Sequence, residues 1–338
     1  MALMMFDALL PYFGGKRKLC PEILQRITKF IPRERWPQST FVDGFLGSGA
    51  VSLYAKSQGF RIIANDISER SVIAGKALIE NNGCYLSDYD VYRLCLENKS
   101  EANGHFIEKN CVPDIFPRRH AFFLDNAFAN ARNALDKYLL VKCIFTLRPY
   151  SKFSSPNAFN RPFEDGRFEE IKNTYIKHIK DNLKSPLSIL KAETSRINSG
   201  IFTNGHKNEI HKKDIFDFVA AAQGDVLYLD PPYSGTLAYE SEYNVLDTIL
   251  GDERKVSRFS ADGGMEYLEE VFARAQHIPL WVLSFGNAGG KNTLDDLLAI
   301  IRKFRQCEAV VFAYRHCEAM ASEEHKQQCR EWLVTAWK

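Results

Sequence analysis

The sequence predicts an α/β protein built on a doubly wound, mainly parallel sheet, and three stretches carry that reading. Thr40-Phe41-Val42-Asp43 is a short β-favouring run. It enters the glycine-bearing loop Gly44-Phe45-Leu46-Gly47-Ser48-Gly49, with a helix expected from Ala50 to Gln58. Phe60-Arg61-Ile62-Ile63-Ala64-Asn65 is a second such run and ends in an acid, Asp66. Asp225-Val226-Leu227-Tyr228-Leu229 is a third, apolar enough to be a buried parallel strand. Two consecutive prolines, Pro231 and Pro232, cannot continue a sheet ladder, so this strand stops at Asp230.

A chain of 338 residues can bury a full core, as one large domain with an insertion or as two domains. No apolar stretch approaches the length that spans a bilayer. Met1 to Leu10 is apolar but short, lacks a basic leader and contains Asp7, so no export signal is expected. A net charge of +2 excludes no partner class, because a nucleic-acid binder can hold its positive charge in one patch. The eight cysteines (Cys20, Cys84, Cys95, Cys111, Cys143, Cys307, Cys317, Cys329) show no C-x-x-C pairing and read as reduced thiols. His316-Cys317 and His325 with Cys329 would supply four zinc ligands, or are core cysteines and surface histidines. Their spacings fit no common finger pattern, and no metal is expected.

Taken in order, the chain first offers Pro11-Tyr12-Phe13-Gly14-Gly15-Lys16-Arg17-Lys18. The glycine pair lets the backbone turn tightly or approach a ligand, and the basic residues after it suit an anionic group. The same residues also suit a plain turn before a helix, and Leu19 to Phe30 has helical apolar spacing. The loop after Asp43 is not a phosphate loop, because the Gly-Lys-Ser/Thr ending is missing, and it lacks the third glycine of a dinucleotide fingerprint. Asp66 follows that loop by about 20 residues, the distance at which a carboxylate holds ribose hydroxyls. Ser68 is a candidate N-cap for a helix running to about Ile79.

From Cys84 to about Gly200 the α/β rhythm is lost and a helical or irregular insertion is expected. Between Arg118 and Lys191 there are 14 lysines and arginines against 7 acids. Arg148, Tyr150, Lys152, Asn160 and Arg161 interleave cations with aromatic and amide groups, which suits phosphate and base contact. Solvated helix faces are the plainer reading, above all for Lys172 to Lys184. The rhythm resumes near Ile201. His211 to Phe216 leads through an apolar helix to the Asp230 strand. Pro279 to Gly286, Ala309 to Tyr314 and Glu331 to Trp337 read as later strands.

Asp230-Pro231-Pro232-Tyr233 then stands at the carboxyl end of a buried strand, where open α/β sheets bind ligands. It offers a carboxylate, a stiff backbone carbonyl and an aromatic face. Together these suit a flat ring bearing an amine: two acceptors for its N–H hydrogens and a ring to stack on it.

With these pieces in order, the chain resembles the Dam-like family of S-adenosylmethionine-dependent DNA adenine methyltransferases. The resemblance rests on Tyr12-Phe13-Gly14-Gly15-Lys16, Phe45-Leu46-Gly47-Ser48-Gly49, Asn65-Asp66, Asp214-Ile215 and Asp230-Pro231-Pro232-Tyr233. It implies a seven-stranded sheet with a reversed final hairpin. The core would comprise residues 1–84 and 201–338, with a target-recognition insertion at 85–200. Phe159 to Phe163 looks like the family's Phe-Asn-x-Pro element. Tyr12, Phe13, Gly14 and Lys16 match cofactor-contacting positions, and Asp43, Phe45, Gly47, Ser48 and Gly49 match the loop at the methionine end. Asp66 with Ile67 matches the ribose site, Asp214 with Ile215 the adenine end, and Asp230 to Tyr233 the catalytic tetrad, Asp230 also facing the cofactor. Gly44 stands where the family usually has proline, which is expected to loosen the loop.

The resemblance implies site-specific methylation of adenine N6 in double-stranded DNA, a cytoplasmic prokaryotic or phage setting and a possible restriction endonuclease partner. Three alternatives stay open on the sequence: methylation of cytosine N4 or of RNA adenine by the same fold, methylation of glutamine, and a catalytically silent cofactor- or DNA-binding regulator. A glutamine-methylating enzyme normally uses an Asn-led tetrad and needs no basic aromatic insertion.

Overall fold

The computed structural model describes residues 2–12, 14–97, 105–112, 115–116, 118–147, 185–232, 243–252, 258–260, 264–287, 293–313 and 330–338. Seven strands form one sheet: β1 (Thr40–Asp43), β2 (Arg61–Asn65), β3 (Glu209–His211), β4 (Val226–Leu229), β5 (Leu280–Gly286), β6 (Gln306–Ala313) and β7 (Arg330–Trp337). Their order is β3-β2-β1-β4-β5-β7-β6. The first five run parallel, and β7 is antiparallel to both β5 and β6. This is the doubly wound sheet with a reversed final hairpin that the sequence led us to expect.

Side chains alternate between the faces of a strand, so one residue in two enters each layer. Phe41, Ile62, Val226 and Tyr228 point into one core cluster. Val42, Ile63, Leu227 and Leu229 point into the other. The first layer is covered by the helices Cys20–Thr28, Ala50–Ser57 and Glu69–Gly75. The second is covered by Ile215–Ala221, Gly264–Arg274 and Leu294–Arg302. With both faces covered, β4 and β5 are buried along their whole length, which explains their unbroken apolar runs. β3 and β6 are the edges, and the residues of β6 are mostly half-exposed.

The described part of 85–200 is helical: Asp88–Leu94, Phe106–Cys111, Arg118–Asn130, Ala134–Leu147 and Pro186–Asn198. Ala134–Leu147 is buried nearly all round, the pattern of a core helix. It belongs to the first core layer. Tyr138 Oη donates to Ala8 O (2.8 Å) and Lys142 Nζ to Asp7 O (2.8 Å), stitching the helix to the N-terminal segment. These helices thus share a core with the sheet. Residues 148–184, which include the five candidate DNA-contacting residues, lie outside the described residues.

Ser68 occupies the N-cap position of Glu69–Gly75, but its side chain does not cap the helix. Its hydroxyl lies 2.9 Å from both Asp66 Oδ1 and Ser71 Oγ. The nearby carboxylate is the stronger acceptor and draws the hydroxyl proton away from a capping role. Six of the eight cysteines fall among the described residues, and all six are free thiols. His316, Cys317, His325 and Cys329 lie outside them. Among the described residues no helix is long and apolar enough to cross a membrane.

Candidate active site

β1 and β4 are neighbours in space, and the chain winds away from them in opposite directions. The crevice at their carboxyl ends is the topological switch point of such a sheet. A cavity of about 440 Å³ opens there, within the ~300–1,000 Å³ typical of small-molecule sites.

The loop after β1 forms one wall. Gly47 and Gly49 have φ of 52° and 79°, backbone that β-carbon-bearing residues avoid. A Cβ on Gly47 would press on the Tyr12 ring at 3.4 Å. Gly49 stands behind the wall and precedes the helix Ala50–Ser57, so it shapes the loop without lining the cavity. Gly44 is held fast: its N–H donates to Tyr228 O (3.0 Å), and a Cβ would lie 2.7 Å from Leu229 and 2.9 Å from Ile215. Gly44 thus uses the N–H that proline lacks, and a side chain there would require Leu229 and Ile215 to shift.

The acids sit where the strands end. Asp66 Oδ2 accepts from Gly47 N (2.8 Å), and its Oδ1 accepts from Ser68 N (2.9 Å). Asp66 therefore braces the glycine loop. Asp214 caps the helix Ile215–Ala221 through Phe216 N (3.0 Å). Asn65 ties the two sites together, accepting from Lys213 N (3.0 Å) and donating to Lys213 O (3.1 Å). Asp43 is buried and accepts from Ser52 Oγ (2.6 Å) and Phe45 N (3.2 Å). Burial pushes its carboxyl up to about 7, with Asp230 and Asp66 adding to the rise against those two hydrogen bonds.

Asp230 follows β4 directly and is paired with Lys16, whose Nζ lies 3.0 Å from Asp230 Oδ1 and 3.3 Å from Glu331 Oε1. Pro231 is buried and Pro232 half-buried beside them. Tyr12 stacks on Tyr243, ring centroids 5.3 Å apart. Arg70 lies over that Tyr243 ring at 4.5 Å and pairs with Asp247. Burial raises the Tyr12 phenol pKa, while Arg70 pulls it back.

Tyr12, Gly14, Lys16, Asp43, Phe45, Gly47, Ser48, Asp66, Ile67, Asp214, Ile215, Asp230, Pro231 and Pro232 all line this one cavity. Phe13 and Tyr233 lie outside the described residues. The sequence reading gave no role to Arg70, Asp247, Phe259 or Glu331, although the first three also line the cavity. Phe259 meets Phe45 edge to face at 5.2 Å.

A sequence model of the D12 class N6 adenine-specific DNA methyltransferases matches residues 12–261, from the Tyr12 loop past the Asp-Pro-Pro-Tyr tetrad. The chain belongs to this family. It is 25% identical over 343 residues to the type II methyltransferase M2.HphI of Haemophilus parahaemolyticus, covering 95% of each chain. It is 22% identical to the type II methyltransferase M.NlaIII of Neisseria lactamica, over 94% of this chain and 95% of that one. M.FokI of Planomicrobium okeanokoites is 25% identical over 70% of this chain, a match that spans 36% of M.FokI. Membership decides for adenine N6 in DNA over cytosine N4 and RNA. In this chain Asp230, Pro231 and Pro232 thus stand at a cavity walled by acids and a left-handed glycine loop.

Proposed function

We propose that this chain is a site-specific DNA adenine methyltransferase that moves the methyl of S-adenosylmethionine to the N6 of an adenine swung out of the duplex. The observation that carries this reading is the placement of Asp230 on the same cavity as Asp66, Asp214 and the Gly47 loop. The cavity fits such a cofactor. Three hydrogen bonds to Asp66 leave acceptor capacity on its carboxylate, which offers roughly four lone-pair positions. Asp43, Asp66, Asp214 and Asp230 all line the cavity, which is therefore rich in carboxylates and suits a cationic ligand. Asp66 and Ile67 would hold the ribose, Asp214 and Ile215 the adenine end, and Tyr12 with the Gly47 loop the methionine end.

The cofactor supplies a sulfonium methyl that is already activated. The protein's part is then positioning and electrostatics. Swinging the adenine out costs about a few kcal/mol of unstacking. Stacking on Tyr233 would offset part of it, at ~1–3 kcal/mol per base. Asp230 and the Pro231 carbonyl would accept the two amine hydrogens, localising the nitrogen lone pair towards the methyl.

The basic stretch from Arg118 to Lys191 would carry the DNA, with Arg148, Tyr150, Lys152, Asn160 and Arg161 as contacts. The type II relatives support a restriction endonuclease that recognises the same site, and a place beside cellular or phage DNA in the cytoplasm. The test is transfer of labelled methyl to duplexes of varied sequence, followed by digestion to nucleosides. Label in N6-methyl-2′-deoxyadenosine at a defined site supports the reading, and label in cytosine or in no base at all overturns it.

A further inference from the structure

β7 runs against the rest of the sheet, and this has a chemical consequence. A parallel strand delivers its last residues to the ligand-binding edge, whereas a reversed strand delivers its first. Glu331, the second residue of β7, is therefore paired with Gly286, the last residue of β5. It lies beyond the stretch that the family model matches. Its side chain is 0% exposed, yet it reaches Lys16 Nζ at 3.3 Å while Lys16 holds Asp230 at 3.0 Å. A carboxylate this deep in a sheet is costly unless a cation answers it.

We propose that Glu331 is a positioning residue for methyl transfer: it shares the charge of Lys16, so that the catalytic carboxylate of Asp230 stays an effective acceptor. Lys16 alone would neutralise Asp230. With Glu331 opposite, the ammonium is held between two carboxylates and accepted also by Gly14 O (3.0 Å). The trio carries one net negative charge. That charge faces the amine nitrogen as it turns cationic, an interaction stronger in the transition state than in the bound ground state. Such an effect appears in the chemical step rather than in affinity.

This inference rests on Asp230 being the acceptor proposed above, and the experiment separates the two. Single-turnover methyl transfer is measured at saturating S-adenosylmethionine and DNA, beside equilibrium binding of each and thermal melting. Glu331→Gln keeps the shape and removes the charge. It should slow transfer about tenfold or more, a barrier change of about 1.4 kcal/mol, with both affinities within about threefold. Glu331→Asp keeps the charge and should recover part of the rate. In a Lys16→Met background Glu331→Gln should add less than about threefold, because its action passes through Lys16. Wild-type rates in Glu331→Gln, or an undiminished loss without Lys16, overturn the proposal. Should Glu331→Gln fail to fold, Glu331→Met, which removes the charge at similar volume, decides: a slower rate at unchanged melting temperature supports it, and a wild-type rate overturns it. If Asp230→Ala is inactive while Glu331→Gln is normal, only this inference falls. If Asp230→Ala is itself normal, the reading of Asp230 falls with it.

Discussion

At the scale of single residues, the site is defined by carboxylates placed in different electrostatic surroundings. Asp43 is buried and its carboxyl is raised to about 7. An acid whose folded pKa exceeds its unfolded value holds its proton more tightly when folded. Its contribution to stability is therefore full below about pH 3.8 and declines as pH rises to about 7. Asp43→Asn removes this term, so wild type should lose stability relative to the variant across that window. Denaturant melts of both proteins from pH 4 to 8 check it, and parallel curves would contradict it. A cationic ligand in the cavity favours the ionised form, so S-adenosylmethionine binding at pH 6 should release a proton from Asp43. Calorimetry in two buffers of different ionisation enthalpy reads that proton, and a buffer-independent heat would place Asp43 away from the charge.

Asp66 is a second residue-scale case. It holds the loop amide of Gly47 as well as offering acceptors to the cavity. Asp66→Ala should weaken cofactor binding by roughly 1–3 kcal/mol, the scale for losing charged hydrogen bonds. Calorimetry that finds unchanged affinity in a folded variant would remove Asp66 from the site.

At the scale of elements, the strands were legible because their signals are local. β1, β2 and β4 are short apolar runs closed by glycine, acid or proline, and each lies within about two residues of its expected ends. Asp66 and Asp230 were found because each follows such a strand directly, whereas Asp214, set off from β3 by Lys212 and Lys213, was found only through the family resemblance. Glu331 and Arg70 were not, because their partners are far away in sequence: Lys16 for one, Asp247 for the other. A charged residue at a strand end or helix start carries no mark of burial until the fold closes over it. The helix Ala134–Leu147 was missed for another reason. It is apolar on every side, so it shows no amphipathic period to read. Gly44 shows the limit of reasoning by resemblance, since only the structure reveals that its N–H bonds Tyr228 O and that a side chain there would displace Leu229 and Ile215. Gly44→Pro should therefore destabilise the protein by at least the ~1–3 kcal/mol of an overpacked site. A wild-type denaturant midpoint for that variant would contradict the packing argument.

At the scale of the whole molecule, the net charge of +2 hides a basic excess between Arg118 and Lys191. If that stretch carries DNA, neutralising its cations from Arg148 to Lys184, which leaves the buried Lys142 in place, should abolish DNA binding and spare cofactor binding. Wild-type affinity should also fall steeply with salt, because phosphate contacts release counterions. A salt-insensitive affinity, or full binding after neutralisation, would sink this assignment.

The sheet brings Asp230 to the same cavity as the acids that would hold the cofactor, and the account stands on that convergence. Its most direct test is the single-turnover rate of Asp230→Ala at saturating S-adenosylmethionine and DNA, beside the affinity for each. Loss of a charged acceptor from the transition state predicts a fall of roughly a hundredfold or more, about 3 kcal/mol, with both affinities changed far less. A near-wild-type rate would make the tetrad structural and contradict the account at its centre.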